Sequence, residues 1–121
     1  MGRMSELLEQ AGTTKQRLLK QYPIETKSFL NFLHKTDAGV AISQRQKELI
    51  NVALAIASQC DRCIAVHVKS AISHGASRDE IVEAGFMAVI MHGGPAYMYM
   101  TSLFDALDDF LPEQVENSNG T

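Results

Sequence analysis

The sequence predicts an all-α protein of about six helices, on three observations. Apolar residues recur at spacings of three and four along nearly the whole chain. Runs of alternating β-branched residues, the mark of a half-buried strand, are few. Helix start and stop signals stand between these periodic stretches: Ser43, Gly75, the pair Ser77 and Glu80, and Gly93-Gly94-Pro95.

Each element has its own justification. Leu7 and Leu8, followed by Leu18 and Leu19, predict a first helix ending near Gln21, with an interruption expected at Gly12-Thr13-Thr14. Pro23 suits the first turn of a second helix, because its missing N–H would have no partner there in any case. That helix carries Phe29, Phe32 and Leu33 and ends at Asp37-Ala38-Gly39. Ser43 is placed to cap a third helix whose apolar face is Leu49, Val52, Ala53 and Ile56, running to Ser58 or Gln59. A fourth begins near Cys60 and stops at Gly75, a residue free to adopt the left-handed backbone of a helix C-terminus. Ser77 with Glu80 forms a capping box for the fifth, in which Ala84, Gly85 and Ala88 allow close approach of another helix. After Gly93-Gly94-Pro95 a last amphipathic helix presents Met100, Leu103, Phe104 and Leu107. One domain over residues 1–112 is expected, with its core in 43–111 and a flexible tail over 113–121.

Composition narrows the function classes. With 121 residues and 45% hydrophobic content the chain is long enough to bury a core. A net charge of −3 without a basic cluster argues against nucleic acid as a partner. The sequence lacks an uninterrupted apolar run of the ~18 residues a membrane helix needs. No apolar stretch follows the first residues, so no secretory signal is expected, and the expected location is the cytoplasm.

The only two cysteines stand in Cys60-Asp61-Arg62-Cys63, with His67 four residues further on and Glu48 twelve residues before Cys60. In a reducing compartment such a pair serves redox chemistry or metal binding rather than structural stapling. Residues three apart on a helix have Cα atoms ~5 Å from one another, inside the range a disulfide spans. Cys60, Cys63 and His67 share one stripe of a helix, and an antiparallel hairpin turning near Gln59 brings Glu48 alongside His67. A thiol with pKa ~8.5 is mostly protonated at neutral pH, so the chemistry needs help in forming a thiolate. Helix N-terminal N–H groups, Arg62 and an imidazole one turn away all supply it, and Glu48 is expected to orient His67.

The block from Glu48 through Cys60-Asp61-Arg62-Cys63-Ile64-Ala65-Val66-His67, with His74-Gly75-Ala76-Ser77 and Gly93-Gly94-Pro95-Ala96, resembles the carboxymuconolactone decarboxylase family, and within it the alkylhydroperoxidase D-like branch. The resemblance covers roughly residues 43–96. It implies an all-helical fold, a homo-oligomer (hexamer or trimer), and thiol-dependent reduction of a peroxide with an external protein or small-molecule thiol as reductant. No metal or cofactor is implied. By position, Glu48 and His67 correspond to the proton relay, Cys63 to the thiol that attacks peroxide, and Cys60 to the resolving thiol.

Other readings stand beside this one. Zinc could draw on Cys60, Cys63, His67 and Glu48, although structural zinc usually takes its ligands from two separate knuckles. The pair could also be two small buried hydrophobes. At the level of the whole protein the alternatives are a small-molecule lactone decarboxylase and a non-enzymatic oligomer that senses redox state. His34 and His74 read as surface or C-cap residues, and His92 as a helix-end residue near the last carbonyls or a pocket-lining one. Tyr97-Met98-Tyr99-Met100 reads as packing, and the run from Phe86 to Met91 has more apolar faces than a single core can cover, which points to contact with other subunits.

Overall fold

The computed structural model describes residues 2–112, so the expected tail over 113–121 lies outside the described residues. Helices account for nearly all of them: α1 (Arg3–Gln21), α2 (Pro23–Asp37), α3 (Gln44–Ala57), α4 (Asp61–Ser73), α5 (Arg78–His92) and α6 (Gly94–Phe110). There is no strand among the described residues. Helix α3 packs against α4 and α5, α6 lies across α4 and α5, α1 lies against α4 and α6, and α2 packs on α1.

Local chemistry sets most of the boundaries. The Ser43 side chain accepts the Gln46 N–H while the Gln46 side chain reaches back to the Ser43 N–H, and Ser77 and Glu80 make the same reciprocal pair. Pro23 opens α2 in its first turn. At the end of α4, Gly75 has φ +89°, with the Gly75 N–H on the Ile72 carbonyl (3.0 Å) and the Ala76 N–H on the Ala71 carbonyl (3.0 Å). This is a Schellman closure on the residue best able to adopt it. Helix α1, by contrast, continues through Gly12-Thr13-Thr14 without the expected break. One glycine costs only about 1 kcal/mol in a helix interior, and the packing of α1 on α4 and α6 outweighs it.

The core is built from Met4 of α1, Val52 and Ile56 of α3, Ile64 and Val68 of α4, Ile81 of α5, and Leu103 and Leu107 of α6, all without solvent contact. Leu49 and Ala53 complete the expected face of α3 at its margin. Gly85 is buried where α5 meets α6: a Cβ there would lie 2.8 Å from Met100 Sδ and 2.9 Å from Leu103 Cδ1, so any larger residue requires those side chains to shift.

Several apolar residues stand outside this core. No residue of α2 is buried, and Phe29, Phe32 and Leu33 all face solvent. On α5 Phe86, Met87, Ile90 and Met91 are exposed, and on α6 so are Tyr97, Met98 and Phe104. Of the Tyr97 to Met100 cluster only Met100 is buried, with Tyr99 packed at the edge. Periodicity identifies an apolar face; it does not say whether the same chain covers it.

Candidate active site

The site begins where α3 ends. The Gln59 N–H donates to the Ile56 carbonyl (3.1 Å) and the Cys60 N–H to the Ala55 carbonyl (3.3 Å), a second Schellman closure, here with Gln59 in the left-handed position at φ +54°. The turn is so short that Cys60 is at once the residue leaving α3 and the N-cap of α4. Its backbone is extended, and its Sγ accepts the Cys63 N–H at 3.2 Å, the place a serine or aspartate oxygen usually takes. Cys60 and Cys63 form a disulfide with their Cα atoms 5.2 Å apart. Cys60 is half-buried and Cys63 exposed. Both sulfurs therefore sit in the first turn of α4, where unpaired N–H groups and the helix dipole favour negative charge.

Glu48 returns along α3 to meet α4. It is 8% exposed, the one buried charged residue among those described, and its Oε1 lies 2.8 Å from His67 Nδ1. Ser70 and Asn51 also donate to its carboxylate. Burial pushes the Glu48 pKa up, but the hydrogen bonds from His67, Ser70 and Asn51 and the attraction of His67 outweigh it, so the carboxyl lies below its ordinary value and is ionised at neutral pH. An ionised carboxylate can only accept. Nδ1 of His67 must then carry the hydrogen, which leaves Nε2 of the neutral ring as a free acceptor. His67 is half-buried and four residues after Cys63, so their side chains share one face of α4 about one turn apart.

The two residues between the cysteines are tied elsewhere. Asp61 Oδ2 pairs with the Arg3 guanidinium of α1, and Asp61 Oδ1 accepts from Ser102 Oγ of α6 at 2.7 Å. Burial acts to raise the Asp61 pKa, yet the bonds from Arg3 and Ser102, with the charges of Arg3 and Arg62, carry it below its ordinary value. Sequence reasoning passed over Asp61, Arg3 and Ser102. The local signal was an acid in a helix first turn, which is common for dipole reasons alone. Arg62, expected to support a thiolate, donates from Nη2 to Gln10 Oε1 of α1 at 2.6 Å. A cleft of about 1090 Å³ runs along α1 and α2 past Arg62 and is lined by Leu18, Phe29 and Leu30 among others; neither cysteine, nor His67, nor Glu48 lines it.

The remaining histidines lie apart from the site. His74 is the C-cap of α4, its Nδ1 2.8 Å from the Ser70 carbonyl, and His34 and His92 are exposed in the last turns of α2 and α5. Among the described residues no group of three or more His, Cys, Asp or Glu side chains is arranged to hold a metal ion, and no helix is long and apolar enough to cross a membrane.

Known proteins resemble this chain in sequence or in structure. An uncharacterised protein of the cox locus of Paracoccus denitrificans is 38% identical over 82 residues, 68% of this chain and 74% of that one. The crystal structure of a carboxymuconolactone decarboxylase family protein from Legionella pneumophila superposes with a TM-score of 0.86 at 31% identity, over 92% of this chain and 98% of that one. A protein of the same family from Thermotoga maritima, described as a candidate for involvement in antioxidative response, superposes with a TM-score of 0.77 at 22% identity, over 94% and 96% of the two chains. Residues 25–106 match the profile of that family, a span that takes in most of α2 as well as the cysteine-bearing hairpin. With the fold, the profile and the Legionella relative in agreement, this chain belongs to the carboxymuconolactone decarboxylase family.

Proposed function

We propose that the protein is a thiol-dependent peroxidase of antioxidant defence, in which Cys63 attacks a hydroperoxide, Cys60 resolves the product, and Glu48 and His67 move the protons. The observation that carries the proposal is the 2.8 Å Glu48–His67 contact on the same helix pair that bears a closed Cys60–Cys63 disulfide at its turn.

In the reduced protein the free Nε2 of His67 takes the proton of the Cys63 thiol, and Glu48 stabilises the resulting imidazolium. The thiolate attacks the terminal oxygen of the hydroperoxide and the O–O bond breaks. The departing alkoxide takes the proton from His67 and leaves as an alcohol, while Cys63 becomes a sulfenic acid. The Cys60 thiol then condenses with it, forming the disulfide and releasing water. An external dithiol, or two monothiols, reduces the pair by exchange and is itself oxidised to a disulfide. The sum is one hydroperoxide and two thiol equivalents converted to alcohol, water and one disulfide. The cycle needs no metal or cofactor.

The exposed apolar residues support a homo-oligomer, trimer or hexamer in line with the family resemblance. Phe32 at 63%, Ile90 at 71% and Met91 at 80% exposure carry more apolar surface than a monomer usually leaves to water. The reaction is assigned to the cytoplasm, where thiol reductants are abundant.

Intact-protein mass spectrometry tests the proposal. Reduced protein treated with one equivalent of an organic hydroperoxide is expected to lose two hydrogens rapidly, and Cys60→Ser to accumulate a single-oxygen adduct that Cys63→Ser does not. Slow, unselective oxidation of all three would overturn it. Lactone decarboxylation that survives both substitutions would show decarboxylase chemistry instead.

A further inference from the structure

We infer that Arg3 is a positioning residue for the cysteine pair: it holds and balances the Asp61 carboxylate, which would otherwise oppose thiolate formation at Cys60 and Cys63. The inference rests on the redox reading of the pair and adds to it a residue far outside the Cys60 to His67 segment.

Asp61 is the first residue of α4, one position after Cys60 and two before Cys63. An anion there helps the helix, but toward a neighbouring thiolate it is a like charge, which raises a thiol pKa. Both carboxylate oxygens are occupied from outside α4, Oδ2 by Arg3 of α1 and Oδ1 by Ser102 of α6. The backbone carrying Arg3 is anchored at the start of its helix, while its side chain is 56% exposed. The adjacent Met4 is wholly buried, and the Ser5 N–H donates to Asp109 Oδ2 at 3.0 Å.

The charged groups around the pair are Asp61, Arg62 and His67 on α4, Arg3 from α1, Glu48 from α3 behind His67, and Asp105 from α6, whose charge acts on Arg3. Arg62 adds to the balance on Asp61 but spends its hydrogen bond on Gln10, so Arg3 is the cation in direct contact with the carboxylate.

Removing the cation from Arg3 leaves the Asp61 carboxylate, adjacent in the chain to Cys60 and two positions before Cys63, with less of its charge balanced. The thiolate becomes scarcer at a given pH, and the disulfide becomes harder to reduce, because stabilised thiolates are what make a disulfide oxidising. Asp61→Asn acts in the opposite direction, and the double variant returns toward wild type. For one unit charge acting within a Debye length in a partly solvated setting, the change in thiolate fraction is about three- to tenfold at low salt and smaller at high salt.

The test is carried out on the full-length reduced protein without peroxide, so it stands apart from the peroxidase assay. It combines the ultraviolet thiolate titration, the iodoacetamide alkylation rate at neutral pH, and the redox equilibrium with glutathione. Arg3→Gln should slow alkylation and favour the disulfide, Asp61→Asn should do the reverse, and Arg3→Lys should restore most of the wild-type behaviour. Unchanged titration in Arg3→Gln, or shifts of the same sign in Arg3→Gln and Asp61→Asn, would overturn the inference even if thermal stability fell. Should Arg3→Gln fail to fold, Asp61→Asn reads the same charge with the opposite sign, and an unshifted titration there overturns it equally.

Discussion

Replacing Glu48 by glutamine removes one charge from the site while keeping its shape. In the wild type the carboxylate is 8% exposed and receives donors from His67, Ser70 and Asn51, with the His67 contact at 2.8 Å. The amide oxygen of the Glu48→Gln variant can still accept from Nδ1, so the imidazole keeps its orientation. What goes is charge assistance: a hydrogen bond to an ion contributes about 1.5–3 kcal/mol and a neutral one about 0.5–1.5 kcal/mol. The new NH₂ must also find an acceptor among side chains that had been donating. A loss of about 1–2 kcal/mol at pH 7 is expected, read by urea denaturation of the disulfide form. Because the folded-state pKa of Glu48 lies below its ordinary 4.5, the wild-type advantage is fully present above that pH and is lost as pH falls through the folded value. Peroxide turnover should drop by roughly 10- to 100-fold, since the amide cannot stabilise the imidazolium. A stability gap that stays constant from neutral pH down to strong acid, or a variant as active as wild type, would refute this account of Glu48.

Other substitutions probe the frame around the site. Gly85→Ala places a methyl 2.8 Å from Met100 Sδ and 2.9 Å from Leu103 Cδ1, so overpacking of about 1–3 kcal/mol exceeds the helix-propensity gain of about 1 kcal/mol; a lower urea midpoint is expected, and a raised one would show that Met100 gives way freely. Gln59→Gly relieves the left-handed backbone at φ +54° and should stabilise the disulfide form by about 0.5–1 kcal/mol in urea, whereas a loss would mean that the Gln59 side chain makes an essential contact. Phe32→Asp and Met91→Asp, at residues 63% and 80% exposed, should lower the sedimentation coefficient if these faces join the proposed homo-oligomer, without altering far-ultraviolet circular dichroism; unchanged sedimentation in both would free these faces from any role in assembly.

Much of this protein follows from its sequence because the deciding forces act within a few residues. Ser43, Ser77 with Glu80, Pro23 and Gly75 delimit helices through their own hydrogen bonds and backbone preferences. The spacing of Cys63 and His67 is a property of any α-helix, and given an antiparallel hairpin turning near Gln59 the position of Glu48 predicts its meeting with His67; that Cys60 stands as the extended N-cap of α4 is what the folded turn added. Tertiary structure decided what depends on groups distant in the chain. It carried α1 through Gly12, sank Met4 into the core and left Phe29, Phe32 and Leu33 in solvent. It also turned Arg62 to Gln10 and closed Arg3 and Ser102 on Asp61, across 58 and 41 residues. Such contacts leave no periodic trace, because a charge on one helix face reads the same whether it meets water or another helix, and only the docking of α1 and α6 on α4 determines which it is.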